Sequence, residues 1–339
     1  MTEREIIFEC VIGSRLYGTS FSTSDDDFLG VFIPTEDDLY GLQNCPPEMS
    51  KSVKVSDGER NTKGDVDRKF YSIKRYIDLI LSGQQSTAVE MLFAPPEMIV
   101  TSTNWWYLLL TNRSKFLSKK SVVGTLGFAK AQAYKAYLKG GNLNLIRSLI
   151  ESFKEHQSSI YDKTVGDLCG VTWESPRPAK CILFGQEIDF VDSDNKAPVI
   201  EIAGRKYDIN GRAKFLADSL KELESRYGTR SNAAANNGYD YKSLYHCYRL
   251  LGEARELLTT GVITLPRPKK EREFLMSLRS NEPNRENTIP MDLDFFADIT
   301  QQIAEIESLV PDSVLPNEPD RSFANNFCIA LIKQSLERR

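Results

Sequence analysis

Asp25, Asp26 and Asp27 stand side by side in the stretch GSRLYGTSFSTSDDDFLG, residues 13–30. Three adjacent carboxylates repel one another, and a fold gains nothing from crowding them unless something positive sits among them. In an extended chain residues i and i+2 face the same way, so Asp25 and Asp27 aim together while Asp26 turns aside. Two carboxylates on one face suit a hard divalent cation such as Mg2+, with phosphate oxygens and water completing the octahedron. Upstream, Gly13 and Ser14 close an apolar run. A glycine there lets phosphates approach the backbone, and the serine adds a hydroxyl. An isolated Asp-x-Asp is as readily a polar loop. The order strand, Gly-Ser, Asp-x-Asp, strand is a composite signal stronger than any of its parts.

A second set of candidates is basic. Lys242, His246 and Arg249 are spaced i, i+4, i+7 and share one face of a helix, where each can bind phosphate in its own way. The plainer reading is a solvated face paired with Glu253 and Glu256. Arg15 is placed to touch a triphosphate or to pair with a nearby aspartate. Lys74, Arg75, Lys119 and Lys120 are further basic candidates. Trp105, Trp106 and Tyr107 can stack a base, although an aromatic cluster is more often core.

The carboxylates need elements to hold them. Residues 5–12 and 28–34 are apolar and read as strands, the second closed by Pro34. Residues 41–64 are polar and turn-rich, a loop with at most a short strand. Asp65 to Tyr71 reads as a third strand. Ile73, Ile77, Ile80 and Leu81 then recur at helical spacing up to Gly83. Residues 87–93 run into Pro95-Pro96.

Beyond residue 103 the pattern is helical, with a break near Asn112–Ser114 and short β-like pieces between 178 and 208. Residues 212–228 read as a helix, 229–238 as a loop and 239–261 as a long amphipathic helix. Further helices cover 292–310 and the last fifteen residues. The expected class is α+β: a small mixed sheet with helices over residues 1–103, then a mainly helical region, 104–339, with a short β insertion.

Bulk properties narrow the possibilities. The 339 residues allow two domains, and 41% hydrophobic with 27% charged residues is a globular balance. A net charge of −4 excludes a nucleic-acid polycation, so any RNA contact has to come from a local basic patch. Six cysteines without a CxxC pair, with His156 and His246 alone to join them, argue against structural zinc. No secretory signal or membrane span is apparent, and a reducing cytoplasm is the expected compartment.

The strand, Gly-Ser, Asp-x-Asp, strand order resembles the DNA polymerase β-like nucleotidyltransferase superfamily. The wording GSRLYG…SDDDFLGVFIP is similar to its RNA-repair-pathway-associated branch, found in bacteria and large phages. DRKFYSIKRYIDLILSG…VEMLFAP, FLSKKSVVGTLGFAKAQ and YDYKSLYHCYRLLGEARELLTTGVITLP also look like that branch. The likeness runs from about residue 11 to 280, and 150–235 adds little to it. One departure is Gly83-Gln84-Gln85-Ser86, where the branch suggests Gly-Asn-Pro.

The resemblance implies that Gly13 and Ser14 meet the nucleotide, and it covers the helix of Lys242, His246 and Arg249, which with Arg15 are the further nucleotide-binding candidates. It implies that Asp25 and Asp27 hold Mg2+ or Mn2+ together with a third carboxylate that can act as base. Asp67 is the choice for that third group, with Asp65 one pleat earlier and Glu90 more remote as alternatives. The implied activity moves a nucleoside monophosphate from an NTP to an acceptor hydroxyl on an RNA end, a protein or a small molecule. The rival is a nucleotide- or RNA-binding regulatory module with an idle transferase site. Placement in the host cytoplasm follows if the chain is phage-encoded.

Overall fold

A computed structural model describes residues 4–42, 44–53, 66–172, 178–192, 198–282 and 293–338. The chain forms two compact units. One comprises Met1–Ala131, Tyr245–Leu278 and Pro290–Arg339; the other comprises Gln132–Leu244 and Arg279–Ile289.

The first unit is built on a five-stranded mixed sheet. Its strands are β1 (Glu5–Val11), β2 (Asp26–Ile33), β3 (Glu48–Val53), β4 (Val66–Ser72) and β5 (Ile99–Ser102), in the spatial order β3-β4-β2-β1-β5. β2 runs parallel to β4, and the other pairings are antiparallel. The central strands are apolar on both faces, with Ile7, Phe8, Cys10, Val31, Phe32 and Ile33 fully buried, as expected for strands covered from both sides.

The helix Ile73–Ser82 starts where Ser72 caps the N–H of Arg75 and buries the apolar positions that its spacing predicts. Trp105 and Trp106 are core residues: the Trp106 ring stacks on Phe8 at 3.8 Å, while Tyr107 is exposed. Burying a ring of that size stabilises the unit far more than a surface stacking platform would. This helix, Asn104–Thr111, therefore belongs to the same unit as the sheet, and the chain passes out of that unit at 131 rather than near 103.

The second unit carries an antiparallel sheet of β6 (Lys180–Leu183), β7 (Gln186–Asp192), β8 (Pro198–Ile202) and β9 (Arg205–Asp208). Ile146, Leu149 and Phe153 of the long helix Lys119–Glu155 form its core with Ile188, Ile200, Leu216 and Leu220. One expectation is corrected here. Residues 229–238 are not a loop, since Thr229–Asn237 is a helix. Gly140 is the reason: a Cβ there would come within 2.4 Å of the Ala234 carbonyl, so two helices touch backbone to backbone. That contact, with Ala234 buried, overrides the weak propensity of the flanking serine and asparagines. A second difference is the helix Lys269–Ser280, which the sequence reading leaves unassigned. No described helix is long and apolar enough to cross a membrane.

Candidate active site

β1 leads directly into the turn that carries Gly13 and Ser14. The ladder between β1 and β2 is closed by the Ile12 N–H donating to the Asp27 carbonyl at 2.9 Å. Gly13 then turns with φ +70°, and a Cβ on it would lie 3.5 Å from Asp27 Oδ2. The glycine turn and the Asp27 carboxylate are therefore neighbours in space although fourteen residues apart in sequence. Within the turn, Tyr17 N–H donates to Gly13 O, Gly18 N–H to Arg15 O and Thr19 N–H to Ser14 O. The turn is thus internally bonded from end to end.

Gly18 is the tightest point. Its φ is +71°, and a Cβ would meet Arg272 Cδ and Pro266 Cβ, each at 2.9 Å. Gly18→Ala is expected to destabilise the protein by about 1–3 kcal/mol, combining backbone strain with a contact that Pro266 cannot relieve. A urea denaturation curve measures it.

The parallel pairing of β2 and β4 sets Asp27 opposite Asp67. Residues in register on neighbouring strands point to the same face, so these two carboxylates lie side by side. Asp27 is half-buried and Asp67 exposed. Asp25 precedes the first residue of β2 and is exposed, so strand alternation does not govern its direction. Asp65 lies outside the described residues. Among the described residues no three His, Cys, Asp or Glu side chains converge closely enough to hold a metal between them. Two carboxylates in register still suit Mg2+, which usually takes one or two protein carboxylates and fills its other positions with phosphate and water.

Asp26 faces the other side of the strand and is not idle: it forms an ion pair with Arg15. The Arg15 guanidinium also donates to the Ser24 carbonyl at 3.3 Å. Of the two readings of Arg15, the pairing with a nearby aspartate is the one seen here. On the same face Arg68 pairs with Glu9 and lies over the Phe28 ring at 4.1 Å.

Glu90 and Arg249, two of the sequence-based candidates, are brought together in an unexpected way. Glu90 is fully buried, accepts the Tyr17 hydroxyl at 2.5 Å and accepts from Arg249 Nη1 at 2.8 Å. Arg249 is 2% exposed, also pairs with Glu253 at 2.6 Å, and lies 4.1 Å over the Tyr17 ring. Neither is available to a metal or a phosphate, and the basic stripe is corrected with them. Its members share a helix face, but that face is covered at Arg249. His246 is half-buried against the Tyr245 ring, and Lys242, in the second unit, is exposed. Of the plainer reading, the pairing of Arg249 with Glu253 holds, but that end of the face is buried rather than solvated.

Burial raises the Tyr17 hydroxyl well above its ordinary value. Burial acts to lower the Arg249 guanidinium, but Glu253, Tyr17 and Glu90 outweigh it and hold it above its usual range. Glu253 is pushed up to about 8, first by burial, with Glu90 adding to the rise and Arg249 and Arg267 opposing it. The physical sense is charge balance. Burial and the neighbouring Glu90 carboxylate disfavour a negative charge on Glu253 more than the Arg249 and Arg267 guanidinium groups favour it.

A carboxyl held near 8 in the fold, against an ordinary value of 4.5, stabilises most at low pH and loses that contribution as pH rises through 8. The melting temperature is therefore expected to fall between pH 6 and pH 9 in the wild type. The slope should flatten in Glu253→Gln, which has no proton to lose.

The helix Tyr241–Thr260 grips the turn a second time, where the Thr19 and Tyr245 hydroxyls meet at 2.8 Å. Arg267 adds a third grip, its N–H donating to Tyr17 O at 3.2 Å while its side chain is fixed by Glu271 and Glu256. Sequence reasoning misses Tyr17, Thr19 and Arg267. The available signal was Tyr17 and Thr19 lying inside the glycine turn, where aromatic and β-branched residues suit a packed rather than a mobile loop.

The mixed sheet thus sets a Gly-Ser turn beside an aspartate pair, the order in which the sequence resembles the DNA polymerase β-like class. Residues 2–150 match the profile of RlaP, the RNA repair pathway DNA polymerase beta family, so the resemblance read from the sequence is borne out over that stretch. A relative in Enterobacteria phage T4 is described as an uncharacterized 38.9 kDa protein in the nrdC-mobD intergenic region. It is 26% identical over 342 residues and covers 95% of each chain. No solved structure matches the chain.

Proposed function

We propose that the protein is a metal-dependent nucleotidyltransferase that moves a nucleoside monophosphate from an NTP to an acceptor hydroxyl. The observation carrying this reading is the register of Asp27 beside Asp67, with Gly13 packed against the Asp27 carboxylate. The family match over residues 2–150 supports it independently.

In this reading Asp27, Asp67 and Asp25 hold Mg2+ or Mn2+, which when bound neutralises phosphate charge and activates the attacking oxygen. The Gly13–Ser14 turn receives the phosphates at its backbone, where no side chain keeps them away. Asp67, the more exposed of the pair, takes the proton of the acceptor hydroxyl. The new bond joins that oxygen to the α-phosphorus, and the bond to the β-phosphate oxygen breaks to release pyrophosphate. RNA is the acceptor we favour, since the matched family is described by an RNA repair pathway. Cytoplasmic residence agrees with six free cysteines.

The test is label transfer. The protein is incubated with each α-labelled NTP, Mg2+ or Mn2+, and RNA ends, protein and small alcohols in turn. Label on an acceptor, lost in Asp27→Asn, supports the reading. The rival is a nucleotide-binding module without transfer. Binding of NTP with no label on any acceptor would select that rival.

A further inference from the structure

The helical spacing marks Arg249 as a phosphate ligand, and its surroundings give it a different task. Tyr17 is held at its ring face by the Arg249 guanidinium, 4.1 Å away, and at its hydroxyl by Glu90, the same carboxylate that Arg249 grips. The Tyr17 N–H donates to Gly13 O at 3.2 Å, so a displacement of Tyr17 is passed to the residue packed on Asp27. One helical turn before Arg249, Tyr245 fixes Thr19 at the far end of the same turn. Both grips come from one rigid helix.

Stability alone does not account for this cluster. A buried ion pair generally stabilises no more than apolar side chains of equal volume. Here Arg249 Nε and Glu253 Oε2 are moreover buried with no hydrogen-bond partner among the described residues. Cores selected only for stability seldom leave two such atoms together. What the arrangement does provide is a fixed, directional hold, because a guanidinium fork aims its donors in a plane.

We propose that Arg249 is a positioning residue. Acting through Glu90 and Tyr17, it sets the height of the Gly13–Thr19 turn against Asp27, and so the place where the phosphates of a nucleoside triphosphate are held. The second half of this statement rests on the nucleotidyltransferase reading; the first does not.

Two full-length variants test it, Arg249→Lys, which keeps the charge without the fork, and Tyr17→Phe, which keeps the ring without the hydrogen bond. Amide hydrogen exchange is followed in residues 13–20 and, as an internal reference, in 105–109. Label transfer gives KM for the NTP and kcat, and equilibrium binding of Mg2+–ATP gives affinity without turnover.

The expected result is exchange at least about tenfold faster in residues 13–20 with the reference unchanged. KM should rise about tenfold or more and kcat change much less. Equal acceleration in both segments, or none in either, overturns the proposal, as does KM unchanged while the turn loosens. If wild type transfers no label, the transferase reading falls by itself. Selective loosening of 13–20 would then still support Arg249 as the residue that positions the turn, and unchanged Mg2+–ATP affinity would overturn the half of the statement that concerns the phosphates. Should Arg249→Lys fail to fold, Tyr17→Phe decides the question.

Discussion

Asp27→Asn is expected to abolish label transfer, with a fall of about 10³-fold or more, and Asp67→Asn to match it. The two carboxylates are in register on neighbouring strands, so each substitution removes one of the negative charges that face a cation. The fold should survive both, because neither side chain is fully buried. Asp26→Asn makes the sharp comparison. It lies one residue away, carries the same charge and pairs with Arg15 on the opposite face of β2. Transfer should fall in Asp26→Asn by less than about tenfold, the loss attaching to a looser turn. If Asp26→Asn proves as damaging as Asp27→Asn, net charge in the loop matters and the metal assignment is wrong. Asp25→Asn is expected to side with Asp27, and full activity in that variant would remove Asp25 from the ligand set.

The second large effect is on stability. Glu90→Ala takes away the buried partner of Arg249 and the acceptor of the Tyr17 hydroxyl in one change. Breaking a buried ion pair from one side costs about 3–5 kcal/mol. Glu253 moderates this, because it remains bonded to the guanidinium once Glu90 is gone. A loss of about 3 kcal/mol in urea denaturation is the expected value. A distinctive signature should accompany it. Glu90 is among the groups that raise the Glu253 carboxyl, so without it that carboxyl returns toward its ordinary range. The decline in stability between pH 6 and pH 9 should therefore shrink in Glu90→Ala as it does in Glu253→Gln. A full decline in Glu90→Ala would mean that burial alone, without Glu90, raises the Glu253 carboxyl.

How much of this was legible beforehand depends on the range over which each residue acts. The two strands around the turn, the glycines and the Asp-x-Asp are local patterns, and the sheet preserves their order. Asp67 could be chosen as a strand-opening residue, but its alignment with Asp27 depends on a parallel pairing across an intervening strand and loop. Arg249 is the instructive failure. A spacing of i, i+4, i+7 states which residues share a face and is silent about what covers it. The partner that buries Arg249 lies 159 residues away, beyond any window of periodicity. The helix at Thr229–Asn237 was hidden for a similar reason, since its support is a glycine on another helix. The helix Lys269–Ser280 was readable: it follows Pro268 and carries a run of strong helix formers.

The dispersal of the first unit along the chain has a practical corollary for anyone cutting the gene. The family profile ends at residue 150, which invites expression of that piece as a minimal enzyme. Such a fragment would keep Gly13, Asp27 and Asp67 and lose Tyr245, Arg249 and Arg267. Glu90 would then face an apolar interior with no cation to meet it, and Thr19 would lose its hydroxyl partner. A fragment bearing every motif residue would in this way lack the counterweights that let those residues be buried. An autonomous version of this unit needs its later segments, Tyr245–Leu278 and Pro290–Arg339, and is not set by the end of the recognisable motif.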